Sequence, residues 1–163
     1  MSTVKWNGRN LLKTIAENEA GATRLYRAIA NEARIGEQFF ELLAQDEERH
    51  EKIYNALLIR FSDNMDLEIE KDDAEYVDLL VDSNVLFDEE LVENARKIFT
   101  KAQIFDIAEK AERDAVLFIT ELQRLYPDMA KAEMAIILKE EQAHLKKVLE
   151  RKKESQPLFG RGM

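Results

Sequence analysis

The chain has 163 residues, of which 45% are hydrophobic and 35% are charged, a balance that fits one helical domain with a single core. Its net charge of −9 argues against nucleic acid and anionic membrane surfaces as partners, because both bind basic faces. Cysteine is absent, which excludes disulfides, iron–sulfur clusters and cysteine-ligated zinc. No apolar run approaches the roughly 18 residues of a membrane span, so we expect a cytoplasmic protein.

Helical periodicity predicts a first helix from about Asn10 to Ala33 and a second from about Glu37 to Phe61. Gly36 marks the break between them, since glycine tolerates the left-handed conformation that ends a helix. So short a connection predicts that the two helices form an antiparallel hairpin. The apolar stripes of the two helices contain, near their middles, residues that could bind a metal: Glu19, Glu47 and His50.

Residues 62–88 break this pattern and are predicted to form a long crossover. The segment contains an acidic run, Glu68–Asp73, and short apolar clusters that are too interrupted for a core helix. It is long enough to cross the length of a bundle, with one or two short helices within it. We interpret the acidic run as part of a solvated connector.

A second pair of helices is predicted beyond the crossover, one from about Glu89 to Tyr126 and the other from about Met129 to Glu154. Pro127 ends the third helix, because proline disfavours helical geometry in the residue before it. The stripes of this pair carry a similar set of polar residues: Glu112, Glu141 and His144. Residues 1–154 are thus predicted to form an all-α domain, a bundle of two antiparallel hairpins, followed by a flexible tail at 155–163.

The two hairpins repeat the same spacing. Glu19 and Glu47 are 28 residues apart, and Glu112 and Glu141 are 29 residues apart. The two Glu-x-x-His motifs, which begin at Glu47 and Glu141, are separated by 94 residues. The chain therefore reads as two copies of one helical hairpin, and a pseudo-twofold bundle is the structure that would use this symmetry.

Each motif offers a carboxylate and an imidazole on one helix face, because a residue three positions on lies about 4.5 Å further along the axis. One imidazole with shared carboxylates suits Fe(II), Mn(II) or Zn(II). Two divalent ions would balance four carboxylates, whose burial without a counter-charge is costly. The predicted ligands of this dimetal site are Glu19, Glu47, His50, Glu112, Glu141 and His144.

Two assignments in this site stay open. Glu109 lies one turn before Glu112, although Glu112 matches the spacing of the first hairpin better. Tyr26 lies two turns after Glu19 on the same face, where its phenol could hydrogen-bond a ligand carboxylate and assist the chemistry. A plain core tyrosine fits the pattern equally well.

These residues give the sequence a resemblance to the rubrerythrin family of the ferritin-like diiron carboxylate superfamily. The resemblance covers about residues 10–154 and is carried by the six predicted ligands and the segments Ala44–His50 and Ala108–Ala115. It implies a ferritin-like four-helix bundle with two iron ions that react with hydrogen peroxide or dioxygen. Rubrerythrins are peroxide-reducing enzymes of microbes that avoid oxygen, so the resemblance implies an oxidoreductase that acts against oxidative stress.

The sequence departs from related patterns at three points. Without cysteine it has no rubredoxin-like iron site, so an external electron-donor protein is expected. Ala115 stands where many rubrerythrins carry an additional glutamate that takes part in redox-linked iron movement. Glu48 stands where bacterioferritins, which share both motifs, place a haem-ligating methionine, so no haem is expected.

Three other functions remain open from sequence: non-enzymatic iron binding or sequestration, hydroxylation of an organic substrate at a diiron centre, and a structural bundle that binds metal adventitiously. A homodimer is expected, because the family commonly self-associates. The tail beyond Ser155 could dock on a partner, and a frayed end is the simpler interpretation.

Overall fold

The computed structural model describes residues 6–33, 36–61, 69–84, 93 and 100–155. Among these residues the regular secondary structure is helical and includes no β-strand. Helix α1 spans Gly8–Ala28 and continues as a π-helical turn at Ile29–Ala33. The other helices are α2 at Glu37–Arg60, α3 at Lys71–Asp82, α4 at Lys101–Leu125 and α5 at Lys131–Ser155.

Four of these helices form the bundle as two hairpins. Helix α1 packs mainly against α2, and α4 packs mainly against α5, while α1 also contacts α4. Helix α3 lies in the crossover between the hairpins. This arrangement confirms the predicted all-α class and the topology of two hairpins. None of the described helices is long and apolar enough to cross a membrane.

Local sequence explains where the first hairpin begins and bends. The Asn7 Oδ1 accepts a hydrogen bond from the backbone N–H of Asn10 at 2.8 Å and so caps the start of α1. Gly36 precedes α2 with a φ of +61°, a left-handed conformation that glycine adopts without a steric penalty. The chain therefore reverses within a few residues and brings α2 back along α1.

The third helix of the bundle begins later than predicted. Thr100 has an extended backbone, with φ −79° and ψ 135°, and its Oγ1 accepts a hydrogen bond from the backbone N–H of Gln103 at 3.4 Å. A threonine in this capping position starts a helix. The predicted continuous helix from Glu89 to Tyr126 is therefore wrong, and α4 starts at Lys101. Residues 85–92 and 94–99 lie outside the described part of the chain.

The crossover contains a short helix, α3, as expected. The indole Nε1 of Trp6 donates a hydrogen bond to Asp78 Oδ1 at 2.6 Å, and the N–H of Ile69 donates to the Trp6 carbonyl at 2.8 Å. Val77, on α3, is fully buried in the first apolar cluster of the bundle. These contacts attach the crossover to the start of the chain. Residues 62–68, 85–88 and the tail 156–163 lie outside the described residues, so the crossover bounds and the flexible tail stay predictions.

Two apolar clusters fill the bundle, one on each side of its middle. The first packs residues from all five helices, including Leu11, Ile15, Tyr54, Phe118, Leu122 and Ile137. The second includes Leu25, Tyr26, Phe40, Ile104, Phe105 and Val148. On each bundle helix, the glutamate and histidine residues that are at most 2% exposed lie between the segments that belong to the two clusters. The packing therefore encloses a polar layer between two hydrophobic ones.

Candidate metal centre

The polar layer contains all six residues that the sequence predicts as metal ligands. Each is buried, with at most 2% of its surface exposed, and the four bundle helices all contribute at least one. The set is Glu19 on α1, Glu47 and His50 on α2, Glu112 on α4, and Glu141 and His144 on α5. The structure thus brings the six together, while their role as ligands stays a prediction.

These side chains form two overlapping groups. The first is Glu19, Glu47, His50 and Glu141, and the second is Glu47, Glu112, Glu141 and His144. Within each group, one potential ligand atom from every residue lies within 4.8 Å of the others. Glu47 and Glu141 belong to both groups, so two ions held there would share their carboxylates. This is the arrangement that the pseudo-twofold spacing predicts.

Each histidine contacts the glutamate of the opposite motif. The Nδ1 atom of His50 lies 2.8 Å from Glu141 Oε1, and the Nδ1 atom of His144 lies 3.0 Å from Glu47 Oε1. The two imidazole rings are stacked with 5.8 Å between their centroids and an angle of 27° between their planes. Both rings therefore present Nδ1 to the middle of the bundle, which leaves Nε2 directed toward its surface.

Two acidic residues that the sequence analysis missed contact these outer nitrogens. Glu140 Oε2 lies 2.6 Å from His50 Nε2, and Asp46 Oδ2 lies 2.9 Å from His144 Nε2. Each directly precedes the glutamate of its motif, and the two are separated by the same 94 residues as the motifs. The acid that precedes the glutamate in both motifs was the sequence signal from which these two contacts could have been predicted. A carboxylate at Nε2 fixes the ring orientation and the tautomer in which Nδ1 can bind a metal.

A pair of divalent cations fits this set of donors. The Oε2 atoms of Glu19, Glu47, Glu112 and Glu141 are buried and accept no hydrogen bond from any described residue. Buried carboxylate oxygens without a partner are rare and costly in folded proteins. Four carboxylates and two imidazoles balance the charge of two divalent ions, and oxygen and nitrogen donors of this kind suit iron, manganese and zinc.

In the metal-free protein, protons take the place of cations. Burial, and then the charges of Glu141 and Glu47, raise the pKa of Glu19 well above its usual value. Burial and the same two charges likewise raise the pKa of Glu112. Burial would lower the histidine pKa values, but hydrogen bonds to Glu141 and Glu47 outweigh it and raise the pKa of His50 to about 10 and of His144 to about 12. Metal binding must therefore displace protons.

Tyr26 touches the site directly. Its hydroxyl donates a 2.7 Å hydrogen bond to Glu112 Oε1, and its ring packs 5.8 Å from that of Phe40. Burial and the charge of Glu112 raise the pKa of the phenol well above its usual value, so it holds its proton. The phenol therefore contacts one of the predicted ligands, while its part in the chemistry stays a prediction.

The two remaining questions about α4 concern Glu109 and Ala115. Glu109 points to the outer side of the helix, where its carboxylate lies 3.5 Å from Lys152 Nζ and 3.6 Å from Arg113 Nε. Glu112 is therefore the α4 carboxylate within the cluster. Ala115 is buried one turn further on, where it contributes only a methyl group. The described site has four glutamates and no additional one at this turn.

Comparisons with known proteins agree with this geometry. No curated protein matches the sequence. Among solved structures, the chain is similar to a putative ferritin-like diiron-carboxylate protein from Thermotoga maritima. The two are 23% identical, the match covers 95% of this chain and 100% of that one, and the TM-score is 0.69, which establishes a common fold. The family model for rubrerythrin matches residues 10–152. The chain therefore belongs to the rubrerythrin family.

Proposed function

We propose that this protein is a diiron oxidoreductase that reduces hydrogen peroxide or dioxygen. The observation that carries the proposal is the set of four buried carboxylate oxygens without a hydrogen-bond partner among the described residues, on glutamates that cluster with two histidines. Membership of the rubrerythrin family supports iron as the metal, although manganese and zinc use the same donors. Two ferrous ions held by these residues would supply two electrons for cleavage of an O–O bond.

The residues of the chain have separate tasks in this proposal. Glu47 and Glu141 would help to hold both ions, because each belongs to both groups. Tyr26 orients Glu112 and keeps a proton beside Oε1 of that carboxylate. The two apolar clusters exclude bulk water, which strengthens every electrostatic interaction between them.

Reduction of hydrogen peroxide to two waters consumes two protons and two electrons. Asp46 and Glu140 connect the histidine rings to solvent, since their side chains are 44% and 32% exposed. They provide a hydrogen-bonded path along which protons can reach the edge of the site. The electrons are assigned to a separate electron-donor protein, which regenerates the reduced centre after each turnover.

Stopped-flow oxidation of the iron-loaded protein tests this function. The full chain is loaded anaerobically with two ferrous ions and mixed with either hydrogen peroxide or air-saturated buffer. We expect peroxide to oxidise the centre faster, with one peroxide consumed for each pair of ions. The variant Glu109→Gln is a matched control, because Glu109 lies on α4 like Glu112 but outside the cluster. It should react at the wild-type rate.

Two results would contradict the proposal in part or in whole. Oxidation by peroxide no faster than by air would remove the peroxidase assignment. Uptake of many more than two ferrous ions per chain, together with a large closed assembly in sedimentation, would instead indicate iron storage. The same sedimentation measurement tests the expected homodimer.

A further inference from the structure

Arg49 lies on α2 between the two acidic residues that contact the histidines. Its Nη2 is 2.6 Å from Glu140 Oε2 and 3.5 Å from Asp46 Oδ1. The same Glu140 Oε2 contacts His50 Nε2 at 2.6 Å. One surface guanidinium is therefore connected through one carboxylate to each imidazole of the buried cluster.

The pseudo-twofold symmetry of the sequence does not extend to this arginine. The residue 94 positions after Arg49 is Ala143, which is exposed on α5. By contrast, the two acids and the two histidines that Arg49 connects are each present in both halves. A symmetric bundle would have one arginine for each of the two carboxylates. Here the single guanidinium of Arg49 contacts both.

We propose that Arg49 is a positioning residue that holds Glu140 and Asp46 against the two histidines and so sets the metal affinity of both halves of the site. A neutral imidazole binds a metal through Nδ1 only when Nε2 carries the proton, and an anionic acceptor at Nε2 favours that tautomer. The carboxylates of Asp46 and Glu140 are partly exposed, so without a cation they can turn to water. Charge-assisted hydrogen bonds from the guanidinium oppose this movement.

The inference rests on metal binding, which is part of the proposed function, and needs no reaction with peroxide. Cobalt(II) is a suitable probe, because its visible absorption reports its ligands directly. The metal-free full chain is titrated anaerobically with Co²⁺ alone, and the wild type is expected to bind two ions. In Arg49→Gln we expect about 10-fold weaker binding, the lower end of what loss of an outer hydrogen-bond partner costs.

Arg60 provides a matched control. It also joins α2 to α5, through a 3.0 Å contact with Glu133, and its exposure resembles that of Arg49. Because neither Arg60 nor Glu133 contacts a histidine, Arg60→Gln should bind cobalt like the wild type. Thermal unfolding of the metal-free variants should show similar small losses for both, since exposed ion pairs contribute little to stability.

The outcomes separate this inference from the proposed function. Equal cobalt affinity in Arg49→Gln and the wild type would overturn the role of Arg49 and leave the metal site intact. An equal loss in Arg60→Gln would also overturn it, because the effect would then come from helix packing. A wild type that binds no cobalt would overturn both proposals. Arg49→Lys keeps the charge and should recover most of the affinity, and failure to recover would count against a positional role.

Discussion

The two halves of the buried cluster share two glutamates but differ in what supports their other ligands. In the half that contains His50, the ring is held by Glu140, which Arg49 contacts at 2.6 Å. The glutamate of that half, Glu19, has an Oε2 atom with no described hydrogen-bond partner, as does Glu112 in the other half. In the half that contains His144, the glutamate has the closer supporting contact and the acid behind the histidine has the longer one. Its glutamate, Glu112, accepts a hydrogen bond from Tyr26, while the acid behind the ring has only a 3.5 Å contact with the arginine.

This difference shows that the duplication extends to the predicted ligands and their outer acids but not to the groups behind them. Tyr26 follows Glu19 by seven residues, and the equivalent residue after Glu112 is Ile119. The phenol of the first hairpin crosses to the carboxylate of the second, and Ile119 has no polar group with which to do the same. Two metal positions with different support should differ in affinity, and the following predictions test that expectation.

The largest effect is expected from the shared glutamates. In Glu47→Gln, both groups lose an anionic donor, so we expect the bound metal to fall from two ions per chain to none. In Glu19→Gln, only one group is affected, and one ion should remain. Metal analysis after gel filtration measures both values. Equal loss in the two variants would mean that the halves are not separate sites.

The pH dependence should be the next largest effect and should act on both halves in one direction. The pKa values of His50 and His144 rise from 6.5 to about 10 and about 12 on folding. Their contribution to the stability of the folded protein is therefore complete below pH 6.5 and is lost as the pH rises toward 10. The raised pKa values of Glu19 and Glu112 change the stability of the folded protein in the same direction. The thermal midpoint of the metal-free protein should therefore fall as the pH increases from 6.5 to 10.

Metal should reverse this trend, because its ligands must lose their protons. At a metal concentration 100 times Kd, binding stabilises the folded chain by about 2.7 kcal/mol, which is roughly 5–10 °C for a protein of this size. The difference in midpoint between loaded and metal-free samples should thus widen with pH. Scanning calorimetry at several pH values measures it. A constant difference would contradict the protonated state that we assign to the empty cluster.

The residues of the buried cluster could be predicted from sequence because helical periodicity determines which residues share a face. Glu47 and His50 are one turn apart, and the repeated spacing then identifies Glu19 and Glu112 on the other helices. The contacts of Asp46 and Glu140 could not be found in this way. Each touches a histidine on another helix more than 89 positions away, so the contact depends on how α2 and α5 are aligned.

The start of α4 was missed for a different reason. The apolar stripe that predicts this helix describes only its buried face and contains no information about capping. The pair Thr100 and Gln103 matches the threonine-x-x-glutamine pattern in which two side chains cap a helix start, and their side chains do contact each other. Local capping chemistry, not periodicity, therefore determines this boundary.

Removal of one phenol should affect one half only. In Tyr26→Phe, Glu112 Oε1 loses its donor, and we expect about 10-fold weaker binding of one of the two cobalt ions. Tyr54→Phe is the matched control, because Tyr54 is equally buried and no hydrogen bond joins it to the four cluster glutamates in the described structure. A two-step cobalt titration of both variants makes the comparison. Equal weakening of both steps in Tyr26→Phe would contradict the assignment of Tyr26 to one half.

The smallest effect should separate the two outer acids. Glu140 contacts both His50 and Arg49 at 2.6 Å, whereas Asp46 lies 2.9 Å from its histidine and 3.5 Å from the arginine. Glu140→Gln should therefore weaken one cobalt step by about 10-fold, and Asp46→Asn should weaken the other step by less. Both substitutions keep an oxygen acceptor, so they remove charge and leave the side-chain shape nearly unchanged. If Asp46→Asn had the larger effect, contact with the arginine would not determine how firmly each histidine is held, and the difference between the two halves would have to originate in Tyr26 alone.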